Sequence, residues 1–123
     1  MTLEHEELTG RIIAAAIEVH RRLCPGFLES IYENALVIAL KQAGLKVSQQ
    51  MEISIEFDGI VIGKHRLDLL VQDTIVVELK AVKSLEDVHF AIVKSYLRAA
   101  GKEHGLLINF AKPTIEVKRV ICR

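Results

Sequence analysis

Cysteine and excess charge, two features that often place a protein at once, are nearly absent from this chain. Only Cys24 and Cys122 occur in 123 residues, and they form no C-x-x-C pair of the kind that holds a metal. A chain of this length can build a core without a disulfide, so free thiols in a reducing cytoplasm are expected. Sixteen basic residues balance sixteen acidic ones. That balance gives no support to a non-specific polyanion binder, although a local basic patch remains compatible with it. No apolar run reaches membrane-spanning length, so no membrane partner is expected. The opening "MTLEHEELTGRIIAA" carries acids where a secretory leader would be basic, so it does not read as a signal peptide. Repeats, low-complexity tracts and Gly/Ser/Pro linkers are missing too, which leaves one domain over residues 1–123 as the expectation.

What is present falls into eight periodic segments. Leu8, Ile12, Ala15 and Val19, with Ile13, Ile17 and His20 alongside, recur at helical spacing and predict a helix over Glu6–Leu23. Pro25 and Gly26 end it. A second helix is expected over 28–43, with Leu36, Ala39, Leu40 and Ala43 on one face and Gly44 as its stop. The period then changes to two: Ile53, Ile55 and Phe57 alternate with Glu52, Ser54 and Glu56, as in a half-buried strand. Asp58-Gly59 marks a turn. Strands follow at about Ile60–Val71 and Ile75–Lys80, a helix at 85–100, and two strands in "HGLLINF" and "TIEVKRVIC". The order α-α-β-β-β-α-β-β argues for a mixed α/β layered fold.

The stretch "RLDLLVQDTIVVELKAV" raises the functional question. It is apolar and strand-like, yet it contains Asp68, Glu78 and Lys80. A hairpin centred on Asp73 sets Asp68 opposite Glu78 and Arg66 opposite Lys80. Leu67, Leu69 and Val71 then turn to the other face with Ile75, Val77 and Leu79. Opposed side chains lie about 5 Å apart at Cβ, and two carboxylates that close repel unless a cation neutralises them. One reading is a solvent-facing salt-bridge cluster, since these four charges sum to zero. The other is a metal site. Leu70 and Val76 share the acids' face, which is therefore not simply wet, and D-x9-E-x-K supplies hard oxygen ligands for Mg²⁺ beside a lysine able to orient water.

This hairpin, preceded by helices and followed by a helix and a strand, resembles the PD-(D/E)XK nuclease superfamily. "GFLESIY" (Gly26, Glu29, Tyr32) fits the G-x-x-E-x-x-Y signature of the GxxExxY proteins. "AAIEVHRRL", "HRLDLLV", "IVVELKAV" and "GLLINF" are also similar to that branch, so the resemblance covers nearly the whole chain. It implies a restriction-endonuclease-like α/β fold, a mixed sheet flanked by helices. It also implies a nuclease that uses Mg²⁺ (or Mn²⁺) to hydrolyse phosphodiester bonds of DNA or RNA. In that reading Glu29, Asp68 and Glu78 bind metal, and Asp68, Glu78 and Lys80 carry catalysis. The alternative is a degenerate nuclease-fold module acting in nucleic-acid or protein binding and assembly, with a homodimer among the arrangements left open.

Glu29 has two readings: compensation of the helix dipole in the first turn, or the third carboxylate that the superfamily's first core helix often supplies. His20 is either a hydrogen-bonded core residue or, as the shared family histidine suggests, a supporting site residue. Tyr32 and Tyr96 are expected to pack with their hydroxyls near the site. Relatives commonly carry glutamine in the third helix where this chain has Ile92 in "HFAIVKSYL".

Overall fold

Strand pairing decides where the charged residues go. The computed structural model describes residues 5–123; residues 1–4, at the start of the segment read for a leader, lie outside it. Helices α1 (Glu6–Leu23) and α2 (Glu29–Gln42) precede β1 (Val47–Phe57), β2 (Ile60–Val71) and β3 (Ile75–Lys80). Helix α3 (Asp87–Ala100), β4 (His104–Asn109) and β5 (Glu116–Ile121) complete the chain, in the expected order. The five strands form one sheet in sequence order. All neighbours are antiparallel except β3 and β4, which run parallel across the α3 crossover. A parallel pair needs such a crossover, and here the helix supplies it.

Helices cover both faces. On one, Ile12, Ala16 and Val19 of α1 and Tyr32, Leu36 and Leu40 of α2 pack on Leu69, Val71, Ile75, Val77 and Leu79. On the other, Val93 and Leu97 of α3 pack on Ile53, Leu67, Leu70, Val76 and Leu107. Buried on both sides, β3 and β4 are apolar through residues 75–77 and 106–108, with polar residues towards their ends. Gly105 lets α3 sit close: an added Cβ would meet the Val76 carbonyl at 3.3 Å and Val93 Cγ1 at 3.4 Å. Among the described residues no helix is long and apolar enough to cross a membrane.

Three side chains depart from the simple period. Ile17, expected with the apolar stripe of α1, is 47% exposed, while Ala16 takes the core position. Phe57, expected in line with Ile53 and Ile55, is 67% exposed at the hairpin tip, beyond the part of the ribbon that α3 covers. The β1–β2 register shifts between Ile55 and Glu56, and the extra residue, Ile62, lies in β2. Leu67 was expected beside Leu69 and instead packs with Leu70 against α3. The alternation breaks at Asp68: β1 and β2 pair at Gln49–Leu69 and Met51–Leu67, and between them Gln50 turns to φ 54°.

Candidate active site

The break is where the acids converge. The β2–β3 ladder runs from Val71–Ile75 to Leu69–Val77, in the register centred on Asp73. Beyond it, side chains take over the bonding. Asp68 Oδ2 accepts the Leu79 N–H at 2.9 Å, and Glu78 Oε1 accepts the Asp68 N–H at 3.2 Å. Each carboxylate is thereby bonded to the other strand's backbone, and the two are held side by side. Arg66 pairs with Glu52 of β1 and is exposed; it does not join the cluster as the simple hairpin expected.

Their electrostatics are those of a carboxylate pair short of positive charge. Burial, and then the Asp68 charge, push Glu78 up to about 8. Asp68 is also raised, chiefly by burial, with the Glu33 charge adding to it and the Leu79 N–H opposing it. Lys80 favours ionisation of both acids through its charge, without offsetting their burial. Two carboxylates this close hold a proton between them at neutral pH unless a cation replaces it.

Each part of "GFLESIY" has a visible task. Gly26 sits at φ 125°, a conformation that side-chain-bearing residues rarely adopt. Tyr32 is fully buried and stacked on Phe110 at 4.7 Å between ring centroids. Its hydroxyl donates to the Cys24 carbonyl at 2.6 Å and accepts the Phe27 N–H at 3.1 Å, tying the α1–α2 loop to α2. Glu29 then reaches across the sheet, where Oε1 accepts the Ala81 N–H just beyond Lys80 at 3.2 Å. Glu29 and Asp68 line one cleft of about 680 Å³, together with Phe27, Glu33 and Gln50. Tyr32→Phe removes both hydroxyl bonds at once. It is expected to lower stability by about 1–3 kcal/mol in denaturant unfolding, because two part-buried hydrogen bonds are lost together.

The other expected residues are placed as follows. His20 is buried beside Phe110, with Nε2 2.8 Å from the Lys112 carbonyl, so it anchors the β4–β5 loop. Tyr96 is half-buried in α3; burial raises its pKa, and the Glu78 and Asp68 charges raise it further. Ile92, one turn earlier, is 36% exposed.

Sequence reasoning missed four residues. Glu33 is buried, bonded to the Gln49 amide at 2.6 Å and the Gln50 amide at 2.9 Å, and its charge reaches Asp68. It lies four residues after Glu29 on α2, and that spacing was the available signal. Gln50 also approaches Asp68 Oδ1 at 3.4 Å. His65 stacks on Tyr96 with centroids 3.5 Å apart, and its buried Nε2 has no hydrogen-bond partner. Burial lowers its pKa, Asp68 opposes this and Lys80 adds to it. Asn109 is fully buried and bridges the Val82 N–H and carbonyl, which fixes the chain leaving β3.

The donor set fits a hard divalent cation in chemistry, and two of its members are already adjacent. Asp68 and Glu78 each use one oxygen on backbone, and the other Asp68 oxygen meets only the long Gln50 contact at 3.4 Å among the hydrogen bonds to backbone or amide groups. Among the described residues, no three His, Cys, Asp or Glu side chains are gathered closely enough to hold a metal. Glu29 would therefore have to release Ala81 and turn inward to complete the set.

A mixed five-stranded sheet with α1 and α2 on one face, α3 on the other and an acid–acid–lysine hairpin at its centre defines a nuclease-type scaffold. The family model of the PD-(D/E)XK nuclease superfamily matches residues 6–120, and the chain belongs to that superfamily. Among solved structures, the one titled "Crystal structure of SSO0001" superposes with a TM-score of 0.62 at 20% identity, a likeness of fold. It covers 96% of this chain, which spans 59% of that protein's length. No curated protein matches the sequence.

Proposed function

We propose that the chain is a nuclease of the GxxExxY branch that hydrolyses phosphodiester bonds of DNA or RNA with Mg²⁺ or Mn²⁺. The observation that carries this reading is the Asp68–Glu78 pair: two carboxylates held together by each other's backbone, with Glu78 raised to about 8. Holding two acids together in a largely buried place costs free energy, and a site that receives a cation explains why the fold accepts it. Asp68 and Glu78 would hold the metal, Glu29 would add a third carboxylate, and the Leu79 carbonyl lies on the connecting backbone. Bound there, the ion would supply positive charge to the scissile phosphate and lower the pKa of water. Lys80, at the open end of β3, orients the attacking water and offsets charge developing on phosphate. Tyr96 and Tyr32 hold the flanking helices in place.

A second reading is a nuclease fold used for binding or assembly without cleavage. It is favoured by Ile92 in place of glutamine and by a cleft whose lining contains Glu29, Glu33 and Asp68 but no lysine or arginine. Ile92→Gln discriminates between them. At 36% exposure the new amide reaches water, so stability should change by less than about 0.5 kcal/mol. Single-turnover assays with DNA and RNA, run beside the parent chain, give the answer. Faster cleavage places this position in the catalytic site. No cleavage by either protein, with metal binding intact, selects the binding module.

A further inference from the structure

We infer that two copies of this chain associate by seating the tip of the β1–β2 hairpin of one copy in the groove between α1 and α2 of the other. The inference is independent of the nuclease reading. β1 and β2 have 11 and 12 residues, but β3 pairs with β2 only at residues 69–71. The rest is a two-stranded ribbon, and a lone ribbon is marginal in water unless its apolar face is covered. Helix α3 covers it near Ile53 and His65. Past the bulge nothing among the described residues does. Phe57 pairs directly with Ile60 around the Asp58-Gly59 turn, and Ile62 is the unpaired extra residue of the bulge two positions on. These three side chains are 67%, 67% and 65% exposed.

The same chain carries a concave counterpart. The outer groove between α1 and α2 has a volume of about 600 Å³ and is floored by Ala14, Ala15, Ala35 and Ala39, with Ile38 at 58% exposure. Alanines on both helices leave the depth that a phenylalanine or isoleucine fills. Charge fits as well as shape. Arg11 and Arg22 line the groove, and its carboxylate, Glu18, is already bonded to Arg21 at 2.6 Å. The hairpin tip carries Glu56 and Asp58, while Lys64 farther down pairs with Glu52 at 3.4 Å. An acidic apolar tip therefore meets a basic-rimmed apolar groove, the complementarity that fixes partner and register. Such a contact joins two different patches, so it closes as a reciprocal pair or extends into longer assemblies.

The test is mass by light scattering after size exclusion, over a concentration series of the full chain. The parent chain should show a species of two or more copies that weakens as salt rises. Phe57→Asp at the tip and Ile38→Asp in the groove should each raise the dissociation constant about 30-fold or more. Both sites are exposed, and circular dichroism checks that each variant stays folded. Mixing the two variants should restore a two-copy species, because the intact tip of one meets the intact groove of the other. A parent chain that stays monomeric overturns the inference. So do variants that associate like the parent, or a mixture that fails to associate, which would point to tip-to-tip or groove-to-groove contact.

Discussion

Replacing Lys80 with alanine is expected to slow cleavage about 10²–10³-fold, or roughly 3–4 kcal/mol in the barrier, while divalent-metal affinity changes little. The reason is chemical. An ammonium cannot ligate a hard cation, so Lys80 contributes only where charge develops on phosphate and water. Its position at the last residue of β3, two residues beyond Glu78, puts it on the acids' side of the strand. Asp68→Asn behaves differently and should lose metal binding and cleavage together. A salt-bridge cluster would give a third pattern: stability changes of about 0–1 kcal/mol for exposed pairs and no response to metal. Parallel calorimetric titrations and single-turnover cleavage of both variants separate the three.

The second large effect is on stability and its sign runs against ordinary surface acids. Glu78 rises from 4.5 to about 8 on folding, so the folded state holds a proton that the unfolded chain releases. That contribution is fully present below about pH 4.5 and is lost as pH rises through about 8. Asp68 shifts in the same direction and adds to it. The metal-free protein should therefore lose stability between mildly acidic and mildly alkaline pH. Glu78→Gln removes the titrating acid while keeping an acceptor for the Asp68 N–H. It is expected to stabilise the metal-free fold by about 1–4 kcal/mol at pH 8 and to gain nothing near pH 4.5. Urea unfolding at several pH values measures this. A Glu78→Gln variant less stable than the parent at pH 8 would show that the carboxylate supports the fold. Mg²⁺ should flatten the parent's pH dependence, because ligands must be deprotonated to bind it.

Much of this was legible in sequence, for identifiable reasons. The β2 and β3 limits follow from apolar runs broken by Gln72, Asp73 and Thr74, and a turn centred on Asp73 fixes the register that brings Asp68 to Glu78. Gly26, Glu29 and Tyr32 could be grouped by a motif, though only the structure shows Tyr32 tying down the loop that presents Glu29. Helix α3 starts at Asp87 rather than 85, and Leu85 packs against the sheet instead. The inversion of Leu67 was not legible, because it depends on Gln50 adopting a left-handed conformation that its residue type does not announce. Glu33 and His65 escaped for a related reason. Their importance comes from contacts across elements, to the Gln49 and Gln50 amides and to the Tyr96 ring, and local periodicity carries no record of those.

The exposed hairpin tip was hidden because cover, too, is a contact across elements. Phe57 continues the alternation of Ile53 and Ile55 in sequence, so it reads as core. It lies at the hairpin tip, past the part of the ribbon that α3 covers, and is 67% exposed. Strand period predicts side only while pairing stays regular, as the break at the carboxylate pair shows, and it carries no record of whether that side is covered.

Titration of Mg²⁺ or Mn²⁺ into the full chain, followed by NMR with calorimetry alongside, tests the site before any substrate is chosen. Saturable binding is expected, with shifts concentrated at Asp68, Glu78 and the Leu79 and Ala81 amides, and with proton release below pH 8. Asp68→Asn should abolish the response while the variant stays folded. Absence of binding in the parent chain, or binding that Asp68→Asn leaves unchanged, would contradict a metal-dependent site at this hairpin.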